Sequence, residues 1–281
     1  MIDLHIHTTA SDGTFSPKEI VQKAAALNLT AIAITDHDTV AGVAEALAAS
    51  KKFNLPVVPG VELSVEEDFE MHILGLFIDH TNPGLVSKLL EIKNGRRKRN
   101  REMVKNLNAL GFNLNFDKIA AEAGTEDFGR PYIAQALLKN GHVRSIKEAF
   151  DKYLSFEGSV FVTRSKLSVS ETISLIKNAG GLAILAHPVD IKLSKKEFGD
   201  FLNRLIDNGL DGIEVHYSKN SKEQTSYYNS LAEKLNILKS GGSDFHGDNK
   251  PNLKLGTGYG SLKVPDKIYF DLLKHKNSIV L

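Results

Sequence analysis

The stretch Ile2-Asp3-Leu4-His5-Ile6-His7 decides how this chain is read. Apolar and polar residues alternate with a period of two. In an extended run Asp3, His5 and His7 therefore share one face, and Ile2, Leu4 and Ile6 share the other. Three polar groups lining an interior need partners, since each one left unsatisfied costs on the order of 1–3 kcal/mol. A metal ion would satisfy both imidazoles at once. The pattern recurs in Thr35-Asp36-His37-Asp38, Gly60-Val61-Glu62, His72, Ala186-His187-Pro188 and Gly242-Ser243-Asp244-Phe245-His246, each at an end of a short apolar run. Six of the ten histidines thus stand near carboxylates where strand-like segments begin or end. Imidazole nitrogen and carboxylate oxygen together are donors for zinc, manganese and iron, so the recurrence predicts a polynuclear metal site.

Working outward, strand-like runs fall at Ile2–His7, Ala31–His37, Val57–Val65, His72–Ile78, Leu182–His187, Gly212–Tyr217 and Leu238–Ser243. Helical patterns lie between most of them. Pro17–Leu27 has Ser16 to cap it, Pro17 at its first position and Glu19 in its first turn. Val40–Phe53, Val169–Ala179, Lys195–Asn208 and Lys222–Leu235 read similarly. This alternation predicts an α/β fold of parallel strands joined by helical crossovers, closed as a barrel with its site at the C-terminal rim. Between Thr81 and Arg164 the rhythm breaks. Helical patterns at Gly84–Leu110, Phe116–Ala123, Arg130–Lys139 and Ser145–Tyr153 follow in series. The expected organisation is a barrel formed by residues 1–83 and 165–281, with residues 84–164 inserted as a helical subdomain over its mouth.

The bulk composition narrows the function. A chain of 281 residues with a net charge of +1 is large enough for a sizeable core, and it lacks the charge of a general nucleic-acid or membrane-surface binder. There are no cysteines, which excludes disulfides, thiolate ligands and thiol nucleophiles. No apolar stretch approaches the ~18 residues of a membrane span, and strand-like residues begin at Ile2 where a signal peptide would be. A cytoplasmic protein is the expectation, with no membrane contact and no obligate protein partner.

The remaining candidates differ in how well a bland reading explains them. Asp12 lies in Ala10-Ser11-Asp12-Gly13, where turn chemistry alone would suffice. His37 stands between two acids, one of which can fix its ring. Glu62 follows Gly60 and can bridge two ions, one per oxygen. His72 taken alone could be surface or core. Pro188 stiffens the chain after His187, and Asp244 and His246 repeat the device of the first run. On the sixth run Glu214 is read as a supporting or rim carboxylate, and His216 as a core or solvent residue that could serve as a proton donor. His80, His142 and His275 read as surface residues.

These motifs, all present and in order, resemble those of the polymerase and histidinol phosphatase (PHP) family of metal-dependent phosphoesterases. The resemblance covers nearly the whole chain. It is greatest to the branch of 3′,5′-nucleoside bisphosphate phosphatases, also described as 5′→3′ exoribonucleases acting on short RNA. It implies a distorted (β/α)7 barrel with a helical insertion, and three divalent metal ions (manganese, iron or zinc). One ion would take His5, His7, Glu62 and Asp244. A second would share Glu62 and add His72 and His187, and a third would take Asp12, His37 and His246. Catalytic roles are expected of Glu62, Asp244, His187 and His246. The segment Gly129-Arg130-Pro131-Tyr132 only approximates the family's arginine-containing stretch.

The charge balance of the ion and ligand set that the resemblance implies also favours a phosphate substrate. Three divalent ions carry six positive charges, and Asp12, Glu62 and Asp244 return three. The net positive pocket suits a phosphorylated nucleotide or short oligoribonucleotide, attacked at phosphorus by a metal-bridging hydroxide without a covalent enzyme intermediate. Metal-bound water or a nearby imidazole would protonate the leaving oxygen. On the insertion, Arg96, Arg97, Lys98, Arg99 and Arg101 form a basic run. Arg96 and Arg99 share a side with Met103, Leu107 and Leu110, which would turn an arginine toward the mouth. Arg99 or Arg130 is expected to hold a non-reacting phosphate, and His37 to meet the substrate. The alternatives are a phosphatase for another small metabolite such as histidinol phosphate, a non-catalytic metal-containing module for RNA ends, and an amidohydrolase-like enzyme acting on C–N bonds.

Overall fold

The computed structural model describes residues 1–67, 69–163 and 166–279. It divides into two compact units, one formed by Met1–Ser87 and Lys166–Leu281, the other by Lys88–Ser165. Arg164 and residue 165, at the expected domain edge, lie outside the described residues.

The first unit is a curled, six-stranded α/β sheet. Its strands are β1 (Ile32–Ile34), β2 (Val57–Ser64), β3 (His72–Leu76), β4 (Leu182–Leu185), β5 (Gly212–Tyr217) and β6 (Leu238–Gly242), paired in sequence order. Helices α1 (Pro17–Ala26) and α2 (Val43–Phe53) flank β1, and α3 (Pro83–Ala109) follows β3 and continues into the second unit. There α4 (Phe116–Ala123), α5 (Arg130–Lys139), α6 (Ile146–Ala149) and a π-helical turn over Phe150–Leu154 follow. Back in the first unit come α7 (Val169–Asn178), α8 (Lys195–Asp207), α9 (Lys222–Lys234) and α10 (Asp266–Ile279). Capping boxes start four of these helices, with Ser16 and Glu19 at α1, Ser168 and Glu171 at α7, Ser194 and Glu197 at α8, and Ser221 and Gln224 at α9. Each satisfies backbone N–H groups that the helix itself cannot pair. Helix α10 was not among the expected helices, although Pro265 precedes it and Ile268 and Leu272 are buried one turn apart. No helix among the described residues is long and apolar enough to cross a membrane.

Two expectations need correction. The strands are not all parallel, because β3 pairs antiparallel with both β2 and β4. Too few residues separate Ser64 from His72 for a helical crossover, so the chain returns as a hairpin. The N-terminal end of β3, and not its C-terminal end, therefore reaches the rim that β2 and β4 reach with their C-terminal ends. The run Ile2–His7 is also not a regular strand, and it bridges only at Asp3 to Ile32 and at Ile6 to Phe245. Side chains intercept its amides: Thr35 Oγ1 accepts from Ile6 N at 3.0 Å and Asp3 Oδ1 from His5 N at 3.4 Å. The run nevertheless bonds on both sides, to Ala31 and Ile6–Thr35 toward β1 and to Gly241 and Phe245 toward β6.

Ile2, Leu4 and Ile6 do not share one apolar environment. Ile2 and Leu4 pack with Leu74, Leu76, Leu182, Ile184 and Leu272, whereas Ile6 packs with Ile20 and Val21 of α1 and Ala46 of α2. Each fully buried aliphatic side chain of this kind contributes about 1.5–3 kcal/mol relative to exposure. The second unit has its own core, built on Met103, Leu107, Ile119, Phe128, Ile133 and Leu137. Its expected basic stripe is partly realised, with Arg99, Met103 and Leu107 buried, but Leu110 lies beyond the end of α3 and is 56% exposed.

Candidate metal centre

All nine candidate ligands lie in the first unit. Glu62 sits within β2 and His72 opens β3. His187 follows β4, while Asp244 and His246 follow β6. His37 follows β1 and is bridged to Glu62. His5 and His7 come from the first run, and Asp12 from the turn after it.

Glu62 is the centre of the cluster. Its Oε2 lies 3.4 Å from His5 Nε2, 3.2 Å from His7 Nε2 and 3.0 Å from His37 Nδ1. Its Oε1 lies 2.9 Å from His72 Nδ1 and 3.0 Å from His187 Nε2, and those two nitrogens are 3.2 Å apart. The two oxygens of one carboxylate thus face different imidazoles. Asp244 Oδ1 is 3.2 Å from His7 Nε2 and 3.7 Å from His5 Nε2. Asp12 Oδ1 is 3.4 Å from His246 Nε2 and 3.6 Å from His7 Nδ1, and its Oδ2 is 3.9 Å from His37 Nε2.

Three groups bring ligand atoms within 4.8 Å of one another: His5, His7 and Asp244; His37, Glu62 and His72; and His7, Asp12, His37 and His246. Donors that share one tetrahedral ion at about 2.1 Å stand roughly 3–4 Å apart, the spacing found here. The donor set fits divalent ions on a second ground. His5 Nε2, both ring nitrogens of His7, His37 Nδ1 and Glu62 Oε2 are buried without a hydrogen-bond partner. Orphaned polar atoms are costly in a folded interior, and their convergence here points to a cation.

A second layer of residues sets the orientation of these groups. Glu214 Oε1 faces His5 Nδ1 and its Oε2 accepts from His187 N at 2.7 Å, which turns His5 Nε2 toward Glu62. His246 Nδ1 donates to the Asp244 carbonyl at 2.7 Å, leaving Nε2 for Asp12. Asp36 accepts from Thr8 N and Thr8 Oγ1, both at 2.7 Å, and from Ser11 Oγ at 2.6 Å, pinning the turn that carries Asp12. Asp3 belongs to none of the three groups. It accepts from Ser243 N at 2.8 Å, Ser243 Oγ at 2.5 Å and Gly256 N at 2.8 Å, joining the first run to the chain just before Asp244. A side chain at Gly242 would collide with His5, so only glycine lets these segments meet. His187 and Asp244 adopt positive φ values of 28° and 59°. Non-glycine residues rarely hold such conformations, and they concentrate at functional sites.

The electrostatics are those of a site built around positive charge. Burial opposes ionisation of Glu62 and Asp244, yet the neighbouring imidazoles hold both carboxyls well below the usual range. Burial likewise opposes charge on His7, but Asp244 and Glu62 lift its pKa to about 10. His5 and His187 are also raised against their burial, His5 by Glu214 and Glu62, His187 by Glu62. Burial, with the charges on His7 and His72, holds His37 down at about 3. Burial alone pushes Asp3 up to about 6, despite its hydrogen bonds.

Other candidates lie outside the cluster. His216 is half-buried beside a register shift between Glu214 and His216, and that bulge turns Tyr217 toward the site in its place. Tyr217 was not among the candidates, nor were Thr8, Ser11 and Lys250, because hydroxyls and a lone lysine carry no spacing signal. His80, His142 and His275 are partly exposed. In the second unit, Arg99 donates through Nε and Nη2 to Asn100 Oδ1 at 3.1 and 2.6 Å, and through Nη2 to Phe128 O at 3.3 Å. Arg130 donates to Leu154 O at 3.0 Å and lies 5.7 Å from the rings of Phe150 and Phe161.

A curled α/β sheet whose strand ends gather orphaned imidazoles around a shared carboxylate has the donor groups of a metal-dependent enzyme. The PHP domain model matches residues 3–162, and the chain belongs to that family. It is 34% identical over 247 residues to the 3′,5′-nucleoside bisphosphate phosphatase of Chromobacterium violaceum, covering 87% of each chain. It is 35% identical over 249 residues to a 5′-3′ exoribonuclease of Haemophilus influenzae, covering 87% of this chain and 89% of that one. Among solved structures, it superposes on a Bifidobacterium adolescentis chain proposed to be a metal-dependent phosphoesterase, with a TM-score of 0.83, 33% identity and coverage of 97% and 95%. A Chromobacterium violaceum structure described as an amidohydrolase, with bound sulfate and no metal, gives a TM-score of 0.83, 31% identity and coverage of 98% and 96%.

Proposed function

We propose that this chain is a metal-dependent phosphoesterase that hydrolyses a phosphate monoester of a nucleotide, releasing the 3′-phosphate of a 3′,5′-nucleoside bisphosphate and acting on the 5′ ends of short RNA. The observation that carries the reading is the position of Glu62, with each oxygen facing a different set of imidazoles. Relatives at 34% and 35% identity over most of the chain, one named as the bisphosphate phosphatase and one as the exoribonuclease, supply the substrate class.

In this reading His5, His7, Glu62 and Asp244 hold one divalent ion, Glu62, His72 and His187 a second, and Asp12, His37 and His246 a third, the ions being manganese, iron or zinc. Such ions, when bound, make hydroxide available near neutral pH and stabilise charge on the phosphoryl oxygens. The chain's own part is positioning. Glu214 fixes His5, Asp36 fixes the Asp12 turn, and the backbone at His187 and Asp244 aims their side chains inward. His37 is the most exposed imidazole of the cluster, with 20% of its side chain accessible against none for His5 or His7, and it meets the substrate. We read the sheet, together with the run Ile2–His7 bonded on both sides, as a distorted (β/α)7 barrel with residues 84–164 as its inserted subdomain. Arg99 or Arg130 of that subdomain holds the non-reacting phosphate, and Arg→Ala there should lower kcat/KM more on bisphosphorylated than on monophosphorylated substrates.

The test is an activity panel. Protein stripped with chelator and reloaded separately with manganese, iron or zinc is assayed on nucleoside 3′,5′-bisphosphates, nucleoside monophosphates, short oligoribonucleotides, histidinol phosphate and amide substrates. Preferred turnover of the bisphosphate or the oligonucleotides is expected. Preference for histidinol phosphate, amidase turnover, or silence under every loading would each overturn the reading.

A further inference from the structure

Asp244 differs from the other two candidate ligand carboxylates in what holds its second oxygen. Oδ1 faces His7 and His5, whereas Oδ2 accepts from Tyr217 Oη at 3.0 Å and from Lys250 Nζ at 2.8 Å. Among the described residues, neither Glu62 nor Asp12 has a lysine or arginine ion pair, and their partners are imidazoles and, for Asp12, the Ser11 hydroxyl. The Lys250 contact is built into the backbone. After His246 the chain makes a tight turn over Gly247–Asn249, with Gly247 at a φ of 66° where a side chain would strike Thr14. Asp248 N donates to Thr14 Oγ1 and Asn249 Nδ2 to Asp12 O, which fixes the turn against the Asp12 loop. Lys250 is thereby returned to the acid six residues before it.

We infer that Tyr217 and Lys250 are opposed positioning residues for the ion held by Asp244. Tyr217 locks the carboxylate so that only Oδ1 is presented, while the Lys250 ammonium repels the ion through Oδ2 and keeps it the most loosely held of the set. The Lys250 side chain is 36% exposed, so solvent moderates its field, while the Asp244 carboxylate between it and the ion is buried. Even so, a cation a few ångströms from a divalent ion must weaken its binding. A hydroxyl that orients a ligand must strengthen it. The two substitutions should therefore act in opposite directions, whereas residues that merely brace the fold would both weaken binding. The inference rests on the reading of this cluster as a metal centre.

The test measures zinc and manganese affinity by competition with a chromophoric chelator, alongside bound-metal stoichiometry, in the whole protein. Lys250→Met should tighten one binding step about tenfold. Lys250→Arg, which keeps the charge, should leave that step unchanged. Tyr217→Phe should weaken the same step about 10- to 100-fold. Unchanged or weakened affinity in Lys250→Met, with wild type binding metal normally, overturns this inference alone. Failure of the wild type to take up metal overturns the metal-centre reading and the inference with it. If Lys250→Met does not fold, equal affinities for wild type and Lys250→Gln overturn the inference, and tighter binding by the glutamine variant supports it.

Discussion

His5 Nδ1 stands 3.1 Å from Glu214 Oε1, both side chains fully buried, in residues 209 positions apart in the chain. The contact determines which nitrogen His5 can offer the centre. Replacing Glu214 with Gln keeps the shape but removes the acceptor charge, and metal affinity should fall about 10- to 100-fold. Bound metal per chain after dialysis against dilute chelator measures this, and wild-type retention by the variant would count against the orienting role.

Glu62 links the imidazole sets, so its loss should be felt by more than one ion. Glu62→Gln is expected to lower metal stoichiometry by more than one ion per chain and kcat/KM by at least about 100-fold. Loss of a single ion, measured by elemental analysis of the purified variant, would show that Glu62 does not bridge.

Metal uptake should expel protons. His7 has its pKa raised to about 10 by Asp244 and Glu62, so at neutral pH its metal-free ring is protonated, and an entering ion must displace that proton. The sign follows: apparent affinity rises with pH up to about 10, by roughly tenfold per pH unit for each proton displaced, and falls on acidification. Proton release on adding zinc to weakly buffered protein reads this directly. A pH-independent affinity between pH 6 and 8 would contradict it.

Loading should also stabilise the first unit, since the orphaned atoms belong only to its folded state. Ions at about 100 times their dissociation constant add roughly 2.7 kcal/mol per site, or about 5–10 °C in Tm. Gly242→Ala, which forces a methyl group against His5, should abolish most of this gain while leaving the helical unit folded. A full metal-dependent Tm shift in that variant would mean the two segments need not meet so closely.

The nine candidate ligands were legible because imidazole and carboxylate at strand ends have few other uses in such density, and the structure does bring them together. Most of the helices were legible from apolar periodicity and start signals such as Ser16, but α10 was missed. The reversed direction of β3 was not read, since an apolar run such as His72–Leu76 looks alike in either direction and only the short link from Ser64 signals the hairpin. Nor was the exchange of His216 for Tyr217, because a single-residue bulge leaves no trace in the alternation that it interrupts. Thr8, Ser11 and Tyr217 act through partners far along the chain, and Lys250 through a turn that brings it back on Asp244, neither of which residue type alone discloses.

The bond between Asp3 and Ser243 spans 240 positions, and it sets the order of events in biosynthesis. His5 and His7 are translated well before Asp244 and His246, which lie on the far side of that span. In the proposed reading a chain not yet translated through His246 cannot complete the centre, so ions that fill it would join two segments far apart in sequence. Metal scarcity would then be felt after translation of His246 and not before it.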